Sequence, residues 1–540
     1  MPTFKLDGTE IPFEKGDTII KAAHRQGIEI PHYCWHPGLS VAANCRMCLV
    51  EIEPGPNQRA MMLDVLVWDE AKKDYVVSRK PKLQPACQAS AAEGMVVKSE
   101  SSENVALARK NVQEFLLLNH PVDCPICDQS GECKLQDYYM TEQATKKRMR
   151  DEPNHKPKGQ VFGPTIVYDA ERCIACTRCI RVCEEVIGDP MLDMRERGNL
   201  YEVITAPGRQ LEGKYTMMVE WVCPVGALTT SHWRHKGRVW LLKGTQSVCP
   251  GCATGCTMWV DADARENTAF RNRPRENEAV NKWWMCDDGM LTYQRVYEHR
   301  LLRASVDADP ASTEAAIVRA AKLVAEHRGA LAVVLSAQRS AEENLAAMAI
   351  ANATGADVYL TARAKWDGDK ILRHEDQNPN RAGALKVSGS ESLPGVDQLL
   401  ANAGKYRCVL VLGEDAEVSA DALGKLDGTE VVLLATHDHG GAWLDVATVV
   451  LPVAVWAETD GTFVNAKGMA QAFKRALAPR GDVVPAWDAL MKVSKAAGLE
   501  APYAKFSDLR AGLATAGLEV LLPKKQEGVL ASTGAPRSTV

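Results

Sequence analysis

Cys173-Ile-Ala-Cys176-Thr-Arg-Cys179-Ile-Arg-Val-Cys183 packs four thiols into eleven residues. Its first three cysteines are spaced so that thiolates on a tight loop converge on one iron–sulfur cluster, leaving one iron corner to be filled from elsewhere. Downstream, Cys223-Pro224-Val225-Gly226-Ala227 offers a Cys-Pro turn, a common source of a fourth ligand. The interleaved Arg172, Arg178 and Arg181 could offset the charge of a cluster and its thiolates, and they suit a solvated helix face at least as well.

The rest of the chain supports a metal reading. Of seventeen cysteines, sixteen fall between residues 34 and 286 and only Cys408 lies beyond. Close clusters of cysteine in a 540-residue chain without a signal peptide point to metal rather than to a disulfide framework. The N-terminus starts directly on strand-like residues, so a cytoplasmic protein is expected. A net charge of −5 gives no basic footprint for nucleic acid, and no apolar run of eighteen residues encodes a membrane span. With 46 % hydrophobic residues the chain can bury several cores.

Residues 1–95 alternate short strand-like runs with Gly and Pro turns around a helix near Thr18–Gln26. Cys34, Cys45, Cys48 and Cys87, with gaps of ten, two and thirty-eight residues, suit a 2Fe-2S cluster in a small mixed sheet. His32 and His36 flank Cys34 but lack the paired Cys-x-His arrangement of Rieske sites, and read as loop or supporting histidines. Over residues 102–118, Val105, Ala108, Val112, Phe115 and Leu116 recur at helical spacing, with Ser102 as N-cap and Pro121 as stop. That helix delivers His120 to a turn-rich loop carrying Cys124, Cys127 and Cys133. Alone, this set suits zinc and iron–sulfur equally; its neighbours tip it towards 4Fe-4S with one imidazole ligand. Residues 141–160 are charged and read as an exposed connector.

Cys249, Cys252, Cys256 and Cys286 form a further four-thiol set, with Pro250, Gly251 and Gly255 letting the backbone wrap closely; a zinc ribbon is the runner-up. From about residue 300, Ala-rich helical stretches alternate with strand runs such as Ala332-Val-Val-Leu335, Val409-Leu-Val-Leu412 and Val431-Val-Leu-Leu434. These imply a parallel α/β sheet covered on both faces. No G-x-G-x-x-G follows a strand. Residues 521–540 read as a disordered tail.

Taken together, Cys34-Trp-His-Pro-Gly-Leu-Ser-Val-Ala-Ala-Asn-Cys45-Arg-Met-Cys48, His120-Pro-Val-Asp-Cys124-Pro-Ile-Cys127-Asp-Gln-Ser-Gly-Glu-Cys133, the Cys173 triplet and Cys223-Pro-Val-Gly-Ala-Leu-Thr resemble the large iron–sulfur subunit of respiratory complex I, NADH-quinone oxidoreductase. Distally, Glu458-Thr-Asp-Gly461-Thr-Phe-Val-Asn465-Ala-Lys-Gly468 looks like the segment that family shares with molybdopterin oxidoreductases. The resemblance implies an α+β 2Fe-2S ferredoxin-like (β-grasp) domain at 1–95, a 4Fe-4S module with one histidine and three cysteine ligands at 96–140, and a 4Fe-4S ferredoxin-like module at 141–240. A molybdopterin-oxidoreductase-type 4Fe-4S module would follow at 241–300, then a truncated α/β molybdopterin-oxidoreductase-like domain at 301–520.

It also implies one 2Fe-2S cluster on Cys34, Cys45, Cys48 and Cys87, and 4Fe-4S clusters on His120, Cys124, Cys127 and Cys133 and on Cys173, Cys176, Cys179 and Cys223. The Cys249, Cys252, Cys256 and Cys286 set matches the extra 4Fe-4S cluster of some bacterial members. Electrons from the flavin of an NADH-binding partner subunit would pass towards quinone, with other peripheral-arm subunits as partners. The chain would sit peripherally on the cytoplasmic face of the inner membrane, held there only through those partners. Cys183 is left over, with no unused triplet to serve, and Cys408 reads as core. No molybdopterin is expected, because Asp287 and Asp288 follow the last cluster cysteine and no distal cysteine is placed to bind molybdenum. The alternatives are the iron–sulfur/molybdopterin subunit of an NAD-linked formate dehydrogenase, the relay subunit of an NAD-linked hydrogenase, and a zinc-stabilised scaffold.

Overall fold

A computed structural model of the chain describes residues 1–56, 58–142, 148–438 and 442–523. These fall into two compact units, Met1–Trp240 and the region from Leu241 onward.

The first unit begins with a five-stranded mixed sheet in the order Thr9–Pro12, Thr3–Leu6, Val96–Lys98, Leu49–Glu53, Gln84–Pro85. Alternation sets its inner face: Phe4 and Leu6 are buried while Lys5 points out. Asp7 and Gly8 both take positive φ, as a two-residue hairpin turn requires, and pair Leu6 with Thr9. The helix Ile19–Arg25 lays Ile19, Ile20 and Ala23 on this sheet, in one core with Trp35, Val50 and Val97. This is the expected β-grasp arrangement.

Three features depart from the sequence reading. The helix Glu103–Leu117 forms, with the Ser102 hydroxyl capping Val105 N–H (3.4 Å). Its buried face, however, is Val105, Arg109 and Gln113, and Phe115 is 74 % exposed. Arg109 turns inward because Ser99 Oγ (2.6 Å) and Glu142 (3.5 Å) receive its guanidinium. The described part of the 141–160 connector is pinned rather than loose: Arg148 binds Glu114, and Lys158 pairs with Asp123 (2.7 Å) and Glu171 (2.8 Å). Residues 143–147 of it lie outside the described residues. The third departure is a two-stranded ribbon, Met62–Asp69 against Asp74–Pro81, whose Leu66, Tyr75 and Val77 are exposed. With neither face buried, it lacks the one-sided alternation by which strands are read.

The second unit opens with three antiparallel strands, Lys243–Val248, Thr257–Asp263 and Thr268–Pro274. Then comes a seven-stranded sheet, whose strands Val449–Pro452, Glu430–Ala435, Cys408–Leu412, Leu331–Ser336 and Asp357–Thr361 run parallel in that order. Successive residues serve opposite faces: Val333 and Leu335 join one core with the helices Thr313–Glu326 and Ala341–Thr354, while Ala332 and Val334 join another with Leu399 and Leu400. Cys408 lies fully buried in the first of these cores, as read. The expected tail starts late, because Val520–Leu521 is still a strand; residues 524–540 lie outside the described residues.

Candidate metal centres

The four cysteines of the first set meet although thirty-eight residues separate two of them. Leu49 pairs with Pro85 across the strands, and Ala86 N–H donates to the Cys48 carbonyl (2.8 Å), which sets Cys87 beside Cys48. Ala43 and Arg46 take left-handed backbone and curl the loop that carries Cys45. Cys34 N–H donates to Cys45 Sγ (3.5 Å). The thiols hydrogen-bond in pairs, which pulls Cys34 and Cys87 down and pushes Cys45 and Cys48 up. His32 and His36 have other employment: Nδ1 of His32 lies 2.7 Å from the Ile30 carbonyl, and Nδ1 of His36 accepts from Gly38 N–H (3.1 Å). Burial, reinforced by the Arg178 charge, holds both rings neutral.

The Cys173 loop uses left-handed Ala175 and Thr177 to turn its thiols inward. Cys173, Cys176, Cys179 and Cys223 line one pocket together with Tyr168, Val203 and Leu228; Cys183, though fully buried, does not line it. Burial lifts Cys176 to about 11 and Cys179 well above the ordinary thiol value, so occupying this space with a cluster means displacing protons. The three arginines, which could have formed a solvated helix face, are buried instead. Arg178 donates to the carbonyls of Trp35 and Val222 (3.3 Å to the latter), and Arg181 to those of Cys34 (2.6 Å), Cys176 (3.2 Å) and Ser40. Arg181 therefore ties the first cysteine set to this one. Replacing it with Leu should orphan these buried carbonyls and cost about 3 kcal/mol, read as a lower denaturant midpoint. Arg181→Lys, lacking the guanidinium fork, should restore only part.

The third set lines a second pocket, with His120, Cys124, Cys127, Cys133, Arg172 and Gly226 among its walls. Cys133 is held as the N-cap of the helix Lys134–Thr141. His120 Nδ1 is buried without a hydrogen-bond partner among the described residues, and burial with the Arg172 charge lowers the ring to about 4. A neutral imidazole with an unused buried nitrogen beside three thiols fits a cluster ligand. Arg238, which the sequence reading missed, donates to the carbonyls of Cys124 and Cys127 (both 3.1 Å). Gly226, three residues beyond Cys223, lies against this set: a Cβ there would sit 2.3 Å from Cys127 Sγ. Among the described residues no three His, Cys, Asp or Glu side chains form a group that could hold a single metal ion.

In the second unit, Cys249, Cys252, Cys256 and Cys286 are all at most 6 % exposed. Cys249 N–H donates to the Cys256 carbonyl (2.8 Å), and Gly251 and Gly289 N–H donate to Cys249 and Cys286 Sγ (3.4 Å each). Asn465 and Gln471 donate to the carbonyls of Thr254 (3.2 Å) and Gly255 (2.8 Å), so the distal Asn465 segment braces this loop. Asp288, read as repelling pterin phosphates, is paired with Arg373 (3.1 Å). The carboxyl ends of the parallel strands carry a stronger objection to a pterin dinucleotide. Glu414 there accepts from Thr436 N–H (3.1 Å) and faces Arg339 (3.7 Å) and His437 (3.4 Å), while Asp415 takes the Ser336 hydroxyl. Carboxylates stand where an open α/β sheet would cradle phosphates, and Arg339 and His437 already face one of them. These residues do not fit that cofactor.

Comparison with known proteins matches five families along the chain. They are a 2Fe-2S iron-sulfur cluster binding domain (residues 1–67), the NADH-ubiquinone oxidoreductase-G iron-sulfur binding region (109–148) and the NADH-quinone oxidoreductase subunit 3 ferredoxin-like domain (163–229). The molybdopterin oxidoreductase Fe4S4 domain (242–298) and molybdopterin oxidoreductase (297–496) follow. The G subunit of the NADH-quinone oxidoreductase of Streptomyces coelicolor is 30 % identical over 485 residues, covering 86 % of this chain and 54 % of that protein. The mitochondrial NADH dehydrogenase [ubiquinone] iron-sulfur protein 1 of Solanum tuberosum is 36 % identical over 296 residues, 55 % of this chain and 36 % of that protein. The chain thus spans about half the length, or less, of these relatives. A crystal structure of an NAD+-reducing [NiFe]-hydrogenase in the H2-reduced state shows 27 % identity and a TM-score of 0.35, covering 44 % of this chain and 91 % of the matched one.

Proposed function

Because the chain is a relative of the large iron–sulfur subunit of NADH-quinone oxidoreductase, we propose that it is the electron relay of such a complex. In this reading it carries electrons from the flavin of an NADH-binding partner subunit towards quinone, with no substrate site of its own. Iron–sulfur clusters supply one-electron carriers with potentials from about −700 to +450 mV, set by cluster type, hydrogen bonds to sulfur and exposure. The ligands are Cys34, Cys45, Cys48 and Cys87 for a binuclear centre. Three tetranuclear centres take His120, Cys124, Cys127 and Cys133; Cys173, Cys176, Cys179 and Cys223; and Cys249, Cys252, Cys256 and Cys286. The modules run over 1–95, 96–140, 141–240, 241–300 and 301–520.

One observation carries the reading: single residues link the three sets of the first unit in a row. Arg181 binds the carbonyls of both Cys34 and Cys176, and the loop that supplies Cys223 presses Gly226 against Cys127. The Cys173 set is therefore tied to each of the other two, a disposition suited to relay. The Cys249 set belongs to the second unit. Among the described residues no helix is long and apolar enough to cross a membrane, and this reading puts the chain peripherally on the cytoplasmic face, held there by partner subunits.

Iron and acid-labile sulfide should be measured on the anaerobically purified complex, with low-temperature EPR after NADH addition. Roughly fourteen irons, with one binuclear and at least two tetranuclear NADH-reducible signals, are expected for these ligand sets. Stoichiometric zinc without iron, or molybdenum or tungsten in the preparation, would overturn the reading.

A further inference from the structure

Arg172 immediately precedes Cys173 in the chain, yet it lines the pocket of a different set, beside His120, Cys124, Cys127 and Cys133. It is 4 % exposed. Two of its three guanidinium nitrogens serve carboxylates: Nε and Nη2 donate to Asp123 (3.3 and 3.1 Å), and Nε also faces Asp169 (3.4 Å). In a planar guanidinium those two nitrogens form one edge, so Nη1 occupies the corner turned from Asp123. Nη1 is buried and has no hydrogen-bond acceptor among the described residues.

Buried charged donors are seldom left in that condition, because their desolvation is then uncompensated. Two unpartnered buried nitrogens thus line one pocket, Nδ1 of His120 and Nη1 of Arg172. One can give a lone pair to iron, and the other a hydrogen to anionic sulfur. The other polar walls offer Nη1 no acceptor: Ser130 Oγ (3.4 Å) and Gly131 N–H (3.1 Å) both bind Gln136 Oε1, and Asp123 already holds the opposite edge. Arg238, the second guanidinium at this loop, donates to the Cys124 and Cys127 carbonyls and lies over the Trp240 ring (4.6 Å), so it serves backbone.

We infer that Arg172 sets the reduction potential of the centre held by His120, Cys124, Cys127 and Cys133, by giving its Nη1 hydrogen bond to anionic sulfur there and fixing a positive charge beside it. The inference rests on the ligand assignment proposed above. Reduction adds one electron to the centre and moves no proton, since a guanidinium keeps its own. Positive charge and N–H donors stabilise the more negative, reduced state and raise the potential. Lys158 provides the comparison: it binds the same Asp123 (2.7 Å) with a side chain 44 % exposed, and it does not line the pocket.

The test is an EPR-monitored redox titration of the full chain in its purified complex, following the tetranuclear signal that Cys124→Ser removes. Arg172→Gln should lower that midpoint, losing about tenfold in the reduction equilibrium, which for one electron is about 59 mV. Arg172→Lys, which keeps the charge without the fork, should fall between Gln and the unmodified chain. Lys158→Gln removes the same charge from the same carboxylate on its solvated side and should cost less than about twofold. In complex labelled with 15N-arginine, pulsed EPR should find a guanidinium nitrogen coupled to that signal, which reads the contact directly even if the Gln variant assembles poorly. Absence of the coupling, an unmoved midpoint in Arg172→Gln, or an equal shift in Lys158→Gln would each overturn the inference alone. Absence of any such signal from the unmodified chain would instead overturn the ligand assignment beneath it.

Discussion

Cys223→Ser is expected to remove one tetranuclear EPR signal, or convert it to a cluster of lower nuclearity, with a loss of up to about four irons per chain. Cys183→Ser should keep the full complement. The two cysteines look interchangeable in sequence, since Cys183 completes a compact run while Cys223 stands far downstream. Geometry separates them. Cys223 lines the same pocket as Cys173, Cys176 and Cys179, and its thiol donates to the Val225 carbonyl (3.0 Å). Cys183 sits in the π-helical turn Val182–Ile187, outside that lining. A serine hydroxyl in its place loses little beyond packing, roughly 1 kcal/mol. Iron analysis and low-temperature EPR on both variants check this, and retention of the signal in Cys223→Ser with its loss in Cys183→Ser would reverse the assignment.

What could be read beforehand was what is local. Cys-x-x-Cys spacing, the turn chemistry around Pro250 and Gly251, and the buried strand runs near Val333 and Val411 state their roles within a few residues. The parallel sheet followed from such runs alone. Arg178 and Arg181 could not be judged this way. The carbonyls that receive them belong to Trp35 and Ser40, more than 140 residues earlier, so whether they faced solvent or core was undecidable from their neighbourhood. The helix Glu103–Leu117 misled for a related reason. Its apolar residues define one face, and the distant Glu142 selects another by drawing Arg109 inward. Gly226 was visible as part of a Cys-Pro-Val-Gly turn, but its importance lies in a neighbour from a different set.

That neighbour yields the other large effect. Gly226→Val is expected to abolish the signal of the His120, Cys124, Cys127 and Cys133 centre although no ligand is changed. Gly226 does not have a positive φ, so the backbone there would tolerate a side chain and the constraint is purely space. A Cβ would lie 2.3 Å from Cys127 Sγ and 3.1 Å from Gln129 Cβ, closer to sulfur than packed atoms approach. The sulfur cannot retreat freely, because Arg238 grips the carbonyls of Cys124 and Cys127 and the Lys134 amide is bonded to the Pro224 carbonyl (3.1 Å). Overpacking of this kind costs roughly 1–3 kcal/mol where side chains can adjust, and here both sides of the clash are cluster-bearing loops. About four irons should be lost with that signal, and the Cys173 centre should be weakened in turn because its Cys223 rides on the same turn. Gly404→Ala, at a site with nothing within 4 Å, should leave every signal intact. Full iron content and an unshifted spectrum in Gly226→Val would mean that the turn moves aside without consequence, and the two sets would then not be mechanically joined.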